Sequence, residues 1–471
     1  MRRALLALAA LLAIGPALAQ LPPPVRTALA RAGIPADSVS VVVERADGGR
    51  ALVAHRAKDL RTPASALKLV TTYAALDLLG PAYTFKTDVL ATGTARGGIL
   101  EGDLVLRGGG DPGLTYEKLW QLMLALRGRG IREIHGDVLL DRSFFAPAAF
   151  DPAAFDNDPR RAYNVGPDAL LVNFEAIEFR FVPDGDTVRV YAEPDLPNVE
   201  IQSTLAAVPG ECDSWRRDLH QEVIDHGMLA TVVFSGRIPA SCGERAWSLA
   251  VFPPAAFNES VFRWLWSATG GKLTGRIRES AAPVDARLVL RHESASLASL
   301  ARDMNKFSNN VMARNLFLAL SAAGGAPAAA AASERVVLDW LRARHLDAEG
   351  IVLDNGSGLS RVARISAAQF AAVLRDAWWS AVMPEFIASM PIYGVDGTLK
   401  NRKAAGAVGE AHLKGGTLNG VQSMAGYVLD RAGTRWVVVM MVNDARAGAA
   451  QPALDALVEW VHERDRKRGA P

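Results

Sequence analysis

The chain has 471 residues, of which 52 are lysine or arginine and 50 are aspartate or glutamate. This near-neutral balance argues against a nucleic-acid partner, which would require a basic face. The length exceeds one ordinary domain and favours about three.

The first twenty residues have the pattern of a secretory signal peptide. Arg2 and Arg3 precede an apolar run, residues 4–14, and Ala17-Leu18-Ala19 forms a small-x-small cleavage site. An apolar core of eleven residues is too short for a bilayer, which takes about 20, so cleavage after residue 19 is favoured over a membrane anchor. We therefore expect an exported, periplasmic protein with no transmembrane segment after cleavage.

The next segments predict a hairpin and a helix. Residues 39–45 and 51–55 have β-rich composition around an Asp-Gly-Gly turn and predict two paired strands. Thr62 is predicted to cap a helix that runs to Leu79. Ser65 falls in the first turn of that helix.

The middle and the end of the chain differ in pattern. From about residue 85 to 280, short β-rich runs alternate with turns, which predicts one or two β-rich domains inserted into a host. A first hairpin and a last helix around a late sheet indicate one α/β host domain built from both chain ends. Helices are predicted at 296–304, 311–321, 328–344, 367–380 and 452–464, and late strands at 411–416, 426–430 and 436–443.

Cysteine, histidine and the basic tail add three expectations. Cys212 and Cys242 are 30 residues apart in a chain predicted to be exported, so a disulfide is favoured over a reduced pair. The eight histidines are scattered, and neither a metal site nor a cofactor is predicted. The basic run from Arg464 to Arg468 is interpreted as a solvated helix end, with weak contact to an anionic membrane as the alternative.

Ser65 and Lys68 have the spacing of a nucleophile and its base. Residues three apart share one helix face, so the lysine amine can lie beside the serine hydroxyl. The chain has 42 arginines but 10 lysines, and Ser65 is the only serine three residues ahead of a lysine. Arginine does not deprotonate in proteins and cannot act as a base. Taken alone, the pair favours the structural interpretation, a first-turn serine and a surface lysine.

Two further polar clusters follow in the chain. Ser308-Asn309-Asn310 precedes a predicted helix, and by itself it indicates a helix cap. Lys414-Gly415-Gly416-Thr417 lies on a predicted strand, where glycine also permits close approach of a ligand backbone. By itself it indicates a glycine-softened strand with a surface lysine.

In this order, the three clusters resemble the S-x-x-K, S-x-N and K-T-G motifs of penicillin-recognising serine enzymes. The surrounding residues resemble the class C low-molecular-weight penicillin-binding proteins, the D-alanyl-D-alanine carboxypeptidase/endopeptidases. The matching segments span nearly the whole chain and are residues 63–72, 107–112, 136–138, 354–361, 394–399, 416–421 and 425–427.

The resemblance implies an α/β (α+β) penicillin-binding transpeptidase/β-lactamase-like domain with two nested β-rich insert domains. Relatives carry a cysteine pair in the inner insert, which Cys212 and Cys242 would match. The implied division is a signal peptide (1–19), a peptidase domain (20–85 and 280–471), a first insert (86–163 and 246–279) and a nested second insert (164–245).

The resemblance also assigns catalytic roles to five residues. Ser65 would be the acylated nucleophile and Lys68 its general base. Ser308 would relay a proton to the leaving D-alanine amine, and Asn310 would hold the substrate amide. Lys414 would supply a positive field that keeps Lys68 neutral and attracts the substrate carboxylate.

Substrate binding is expected around the third motif. Gly416 and Thr417 are the candidates, with the backbone N–H groups of Ser65 and Thr417 forming an oxyanion hole. Asp158, ahead of Tyr163, would meet the free amine of the peptide stem; the alternative is a loop-capping aspartate.

One position departs from the family pattern. Gly415 stands where K-T-G has threonine, whose hydroxyl helps to bind the terminal carboxylate. Thr417, two residues on, is a candidate to take over part of that work. We expect reduced activity or altered preference.

The resemblance implies that the chain acts on peptidoglycan stem peptides and cross-links and is inhibited by β-lactam antibiotics. One alternative is a β-lactamase or esterase, because S-x-x-K chemistry is shared, although the insert motifs are foreign to those compact enzymes. Another is a non-catalytic wall-binding protein of the same fold, with Gly415 as a first sign of decay. Five intact motif residues argue against that reading.

Overall fold

A computed structural model describes residues 21–322, 327–402 and 405–464. The predicted signal peptide and most of the basic tail lie outside the described residues. Within the described ranges, no helix combines the length and the apolar character needed to cross a membrane.

The described residues form the following helices and strands. The helices are α1 (Pro23–Arg31), α2 (Lys68–Leu79), α3 (Tyr116–Gly128), α4 (Pro254–Ala268), α5 (Leu297–Phe307), α6 (Asn310–Ala322), α7 (Ala330–Ala343), α8 (Ala367–Trp378), α9 (Met383–Ser389) and α10 (Gln451–His462). The strands are β1 (Val39–Arg45), β2 (Val53–His55), β3 (Leu60–Arg61), β4 (Lys86–Ala91), β5 (Thr94–Arg96), β6 (Ile99–Glu101), β7 (Leu104–Gly108), β8 (Glu133–Ile134), β9 (Val138–Asp141), β10 (Ile177–Asp184), β11 (Thr187–Glu193), β12 (Val199–Ser203), β13 (Ala206–Val208), β14 (Leu219–Asp225), β15 (Ala230–Pro239), β16 (Arg245–Leu249), β17 (Lys272–Leu273), β18 (Ile277–Glu279), β19 (Arg287–Glu293), β20 (Ile365–Ser366), β21 (Ala411–Leu418), β22 (Val421–Leu429) and β23 (Arg435–Asn443).

A five-stranded antiparallel sheet of order β2-β1-β23-β22-β21 joins the two ends of the chain. The predicted hairpin and the three predicted late strands therefore share one sheet. Helices cover both faces, which explains why β23 is an almost continuous apolar run. The mixed α/β fold class predicted from the sequence is confirmed.

Alternate residues of β23 enter two separate cores, because successive side chains of a strand point to opposite faces. Val437 and Val439 pack in the core formed with α2 and α5 to α9. Val438 and Met440 pack in the core formed with α1 and α10. The first core also contains Ala66, Leu67 and Leu69, and so packs around the start of α2, where Ser65 and Lys68 lie.

The start of α2 differs from the prediction. A 3₁₀ turn, Ala64–Leu67, precedes the helix, and Ala64 has a φ of +47°, which non-glycine residues rarely adopt. Thr62 does not cap the helix; its N–H donates to Asn443 Oδ1 at 2.8 Å, and its hydroxyl accepts from Arg364 at 2.8 Å. These tertiary partners fix the strained turn that presents Ser65. The predicted helix end at Leu79 is confirmed.

The middle block contains three sheets and two long helices. The helices α3 and α4 were not predicted, although α3 buries Leu119, Leu122, Met123 and Leu126 at helical spacing. The short β-rich runs around them concealed this pattern. The sheet orders are β18-β9-β7-β4-β19, β17-β8-β6-β5 and β12-β15-β13-β11-β10-β16, with β14 paired to β15.

The disulfide joins Cys212 and Cys242, with an S–S distance of 2.07 Å. The cysteine pairing predicted from the sequence is therefore present. The division into two nested inserts stays a prediction. The pairing of β16 with β10 places residues 246–249 in the sheet of the predicted second insert. The pairing of β19 with β4 places residues 287–293 in a sheet of the predicted first insert. Each pairing would move one boundary of the predicted division.

Candidate active site

Ser65 and Lys68 meet at the start of α2. Lys68 Nζ lies 3.1 Å from Ser65 Oγ, as the three-residue spacing predicts. The lysine side chain is fully buried, whereas Ser65 is partly exposed. Lys68 Nζ also donates to Asn310 Oδ1 and to the Ser357 carbonyl, both at 2.6 Å. The serine and its candidate base therefore lie in one polar cluster within an apolar core.

Burial lowers the pKa of Lys68 well below its usual range, because the charged amine loses its hydration. The positive charges of Lys414 and Arg314 lower the pKa of Lys68 further. A neutral amine is the form that can accept a proton from a serine hydroxyl.

A second contact joins Ser308 to Lys414. Lys414 Nζ donates to Ser308 Oγ and to the Gly415 carbonyl, both at 2.8 Å. Ser308 ends α5 with a left-handed φ of +58°, which turns the chain before Asn310 opens α6. Lys414 is fully buried on β21, and this burial lowers the pKa of Lys414 to about 7.

Strand β21 passes directly against the backbone of the candidate nucleophile. A Cβ added at Gly416 would lie 2.7 Å from Ser65 N, so only glycine fits there. A Cβ added at Gly415 would meet nothing closer than Leu399 Cδ2 at 3.6 Å. The exposed Thr417 donates its hydroxyl to Gln422 Oε1 at 3.0 Å. In this arrangement, the Thr417 hydroxyl already has a partner within the sheet.

Asp158 lies in a loop beside the site but contacts none of the five catalytic candidates among the described residues. Its carboxylate pairs with Arg161 Nε at 2.5 Å. Its backbone carbonyl accepts from Asn164 at 2.9 Å. The loop reaches the site through the carbonyl of Tyr163, which accepts from Asn310 Nδ2 at 3.4 Å. The role of Asp158 in binding an amine stays a prediction.

Two groups in this cluster were missed by the sequence analysis. One is the Ser357 carbonyl, which lies in the matched segment 354–361 but carried no predicted role. Gly358 lets this loop approach, since a Cβ there would lie 1.9 Å from the Ala64 carbonyl oxygen. The other is Arg314, one helical turn beyond Asn310 on α6, and that four-residue spacing was the available signal.

The fold and the three motifs together define this chain as a serine peptidase of the penicillin-binding-protein class. Within that class, the chain belongs to the D-Ala-D-Ala carboxypeptidase 3 (S13) family, whose sequence model matches residues 24–464. The family resemblance and the enzyme class predicted from the sequence, a serine-type D-Ala-D-Ala carboxypeptidase, are confirmed. The individual residue roles stay predictions.

Known relatives cover most of the chain. A D-alanyl-D-alanine carboxypeptidase of Actinomadura sp. (strain R39) is 30% identical over 434 residues, which cover 88% of this chain and 79% of that protein. The D-alanyl-D-alanine carboxypeptidase DacB of Haemophilus influenzae is 26% identical over 393 residues, covering 82% and 81%. The crystal structure of penicillin binding protein 4 from Haemophilus influenzae has a TM-score of 0.76 at 22% identity, covering 93% and 99%. It shows the same fold.

Proposed function

We propose that this chain is a periplasmic carboxypeptidase/endopeptidase that cleaves D-alanyl-D-alanine peptides of peptidoglycan through an acyl-enzyme on Ser65. The observation that carries the proposal is the 3.1 Å contact between Ser65 Oγ and the buried Lys68 amine. Family membership supports the reaction class. The disulfide supports an oxidising compartment, in which such bonds persist.

The two carbonyl acceptors around Lys68 orient its amine for base catalysis. A neutral amine has two N–H bonds and one lone pair. The shortest contacts of Nζ run to Asn310 Oδ1 and the Ser357 carbonyl oxygen, both at 2.6 Å, and account for both N–H bonds. The lone pair is then directed toward the hydroxyl proton of Ser65. This geometry supports Lys68 as the proton acceptor.

Acylation then follows by nucleophilic attack. Lys68 takes the hydroxyl proton while Ser65 Oγ attacks the carbonyl carbon between the two D-alanines. The carbonyl oxygen becomes an oxyanion, which we assign to the backbone N–H groups of Ser65 and Thr417. The near-contact of Gly416 with Ser65 N supports this assignment, because it brings β21 beside the nucleophile.

Collapse of the tetrahedral intermediate requires a proton on the leaving amine. We assign this transfer to Ser308, which would relay to the leaving amine the proton that Lys68 took from Ser65, so that Lys68 is neutral again. Lys414, whose amine lies 2.8 Å from the Ser308 hydroxyl, keeps its charge and orients that hydroxyl. The C–N bond breaks, D-alanine leaves as an amine, and the acyl group stays on Ser65. In a cross-linked substrate, the leaving amine belongs to the second peptide stem.

Water completes the reaction. Lys68 would accept a proton from the water that attacks the acyl-enzyme, and Ser65 would be released with its hydroxyl restored. A β-lactam would follow the same first step, but its leaving amine stays tethered in the opened ring and obstructs water. This chemistry predicts a long-lived penicilloyl adduct.

Covalent labelling of the full chain with a fluorescent penicillin tests the proposal. We expect one stable label, located at Ser65 by peptide mass mapping, and none on Ser65→Ala. The matched control is Ser321→Ala, a helix serine whose hydroxyl bonds within α6 and its neighbouring segment. It should label as the unchanged chain does.

Other outcomes separate the alternatives. Absence of label, or label surviving Ser65→Ala, would remove the mechanism. Rapid loss of label with turnover of the antibiotic would favour a β-lactamase. Stable label without release of D-alanine from an acylated tripeptide ending in D-Ala-D-Ala would favour a wall-binding protein. Hydrolysis of a cross-linked stem dimer measures the endopeptidase share.

A further inference from the structure

Arg314 is a buried cation behind the candidate catalytic lysine. It lies on α6, four residues after Asn310 and on the same helix face. Its side chain is 5% exposed. Burial lowers the pKa of Arg314 to about 10, so the guanidinium stays charged at neutral pH.

The surroundings of Arg314 offset its charge only in part. Its NH1 donates to the Tyr163 carbonyl at 3.2 Å and also to the Val165 carbonyl. The guanidinium carbon lies 5.3 Å from the centre of the Phe150 ring. Within the described part of the chain, Arg314 Nε has no hydrogen-bond partner, and Asp354 acts on the guanidinium through its charge without a hydrogen bond. Burying a charge in this way is costly and calls for a compensating role.

A short chain of contacts connects Arg314 to the base. Lys68 Nζ contacts Asn310 Oδ1 at 2.6 Å. Asn310 Nδ2 donates to the Tyr163 carbonyl, which is also the acceptor for Arg314. The amide of Asn310 is therefore clamped between the lysine and a carbonyl that the guanidinium holds.

We propose that Arg314 is a positioning residue for Lys68: its guanidinium fixes Tyr163 and Asn310 behind the amine and places a permanent positive charge there. This inference rests on the proposed function of Ser65 and Lys68. It assigns Arg314 no contact with substrate. The positive charge disfavours the ammonium form of Lys68 and favours the neutral base.

The charged groups that act on Lys68 lie on neighbouring elements of the fold. Among the described residues, the charges of Lys414 on β21 and Arg314 on α6 lower the pKa of Lys68 beyond the effect of burial. Asp354 acts on Arg314 from the loop that carries Ser357, and it partly offsets that charge. Lys414 is itself titratable near neutral pH, whereas Arg314 keeps its charge throughout. Arg314 thus supplies the part of the field that does not vanish as pH rises.

The test compares Arg314→Met, Arg314→Gln and Arg314→Lys with the unchanged chain. The measurement is the second-order rate constant for acylation of Ser65 by a fluorescent penicillin between pH 5 and 9. We expect the neutral variants to react about tenfold more slowly than the unchanged chain at the acid end, with the ratio approaching one at the alkaline end. Arg314→Lys should keep the original profile. Arg335→Met, which removes an exposed arginine from α7, is the charge-matched control.

A purely structural role predicts a different pattern. It would lower the rate by the same factor at every pH, or it would affect Arg314→Lys as strongly as Arg314→Met. Either result overturns the proposal, as does an unchanged profile in a neutral variant. Thermal unfolding of each variant checks that it folds. The two neutral variants differ in size and polarity, and one folded neutral variant is enough to decide between the two patterns.

A second readout does not depend on acylation. Because the pKa of Lys68 is lower in the folded chain, folding releases its proton, and the unfolding free energy rises with pH between the folded and unfolded pKa values. In Arg314→Met, this rise should begin at higher pH. If the unchanged chain is not labelled at Ser65, the proposed function fails, while the unfolding curves still decide the role of Arg314. Superimposable curves would reject it.

Discussion

Lys414 and Ser308 form a direct hydrogen bond, Nζ to Oγ at 2.8 Å, although they are 106 residues apart in the chain. The bond joins β21 to the left-handed turn between α5 and α6. It connects the second motif, which begins at Ser308, to the third, which begins at Lys414. Since Lys414 is fully buried, its charge is sensitive to pH near neutrality.

The first prediction concerns the alkaline side of the pH profile. In the proposed mechanism Lys68 acts as a neutral base, so activity should rise with pH through its lowered pKa. Lys414 acts there as a cation, so activity should fall as pH rises through its pKa of about 7. We expect kcat/KM for a D-Ala-D-Ala tripeptide to decline above neutral pH, whereas kcat should hold to higher pH because bound carboxylate favours the charged amine. Steady-state kinetics from pH 5 to 9 measure both.

Lys414→Arg provides the control for that assignment. Arginine keeps its charge across this range, so the alkaline decline in kcat/KM should disappear even if the rate is lower overall. A decline at the same pH in Lys414→Arg would show that another group causes it.

The second prediction concerns the ion pair between Lys306 and Asp396. Lys306 is buried and lies two residues ahead of Ser308 in the chain. Its Nζ is 2.5 Å from Asp396 Oδ2. Burial acts to raise the pKa of Asp396, but hydrogen bonds from Lys306 and the Ile392 N–H lower it overall. Asp396→Asn leaves a buried cation unpaired, and we expect it to lower the unfolding free energy by about 1–3 kcal/mol and to slow acylation. Urea unfolding and penicillin labelling measure the two effects.

Asp303→Asn is the matched control, because Asp303 lies on α5 with Lys306 but its carboxylate is half exposed and 3.9 Å from Arg302. It should change the unfolding free energy by less than about 0.5 kcal/mol. The stabilisation from Asp396 should be lost as pH falls through its lowered pKa, since protonation removes the charge. Equal effects of both substitutions would show that the ion pair does not support the Ser308 turn.

Local spacing made part of the site predictable. Ser65 and Lys68 are three residues apart, so helical geometry alone brings their side chains together. The ordered motifs then supplied Ser308 and Lys414, which no local rule could connect. The prediction that Thr62 caps the helix was wrong, because its N–H binds Asn443 and its hydroxyl binds Arg364, both remote in sequence. Tertiary contacts thus outweighed local propensity at the turn that carries Ser65.

Burial of polar groups was not predictable from the sequence. Arginine is ordinarily exposed, so nothing in the sequence around Arg314 indicates that the loop ending at Val165 covers it. The Ser357 carbonyl is a backbone group, and its role depends on a loop that packs against Lys68 through Gly358. Both features arise where distant segments pack together, and a single sequence carries no direct signal for such packing.

The third prediction concerns the disulfide between Cys212 and Cys242. The two cysteines are 30 residues apart, in the segment that forms the sheet of β10 to β16. Cys242 packs in the core of the middle block. Replacing both cysteines with serine should lower the unfolding free energy by about 2–4 kcal/mol. Ser65 lies beside another core, which contains Ala66 and Leu67, so its labelling at low temperature should be unaffected. Calorimetry and penicillin labelling check this, and loss of label in the folded variant would contradict it.

The last prediction concerns the glycine that replaces the family threonine. Gly415 has room for a side chain, because the nearest atom to an added Cβ is Leu399 Cδ2 at 3.6 Å. Thr417 cannot serve the substrate fully while its hydroxyl binds Gln422. We therefore expect Gly415→Thr to raise kcat/KM by about one to two decades, since a hydrogen bond to a charged group contributes about 1.5–3 kcal/mol.

The substrate itself supplies the control for Gly415→Thr. A tripeptide amide lacks the terminal carboxylate, so the added hydroxyl should give it little benefit, and the gain should be confined to the free acid. Gly416→Ala is the neighbouring control, because its Cβ would lie 2.7 Å from Ser65 N and should abolish acylation. An equal gain on acid and amide would mean that threonine acts on the strand rather than on the carboxylate. No gain on either would mean that this site binds the carboxylate through other groups, so that Gly415 is a neutral replacement and not a weakened motif.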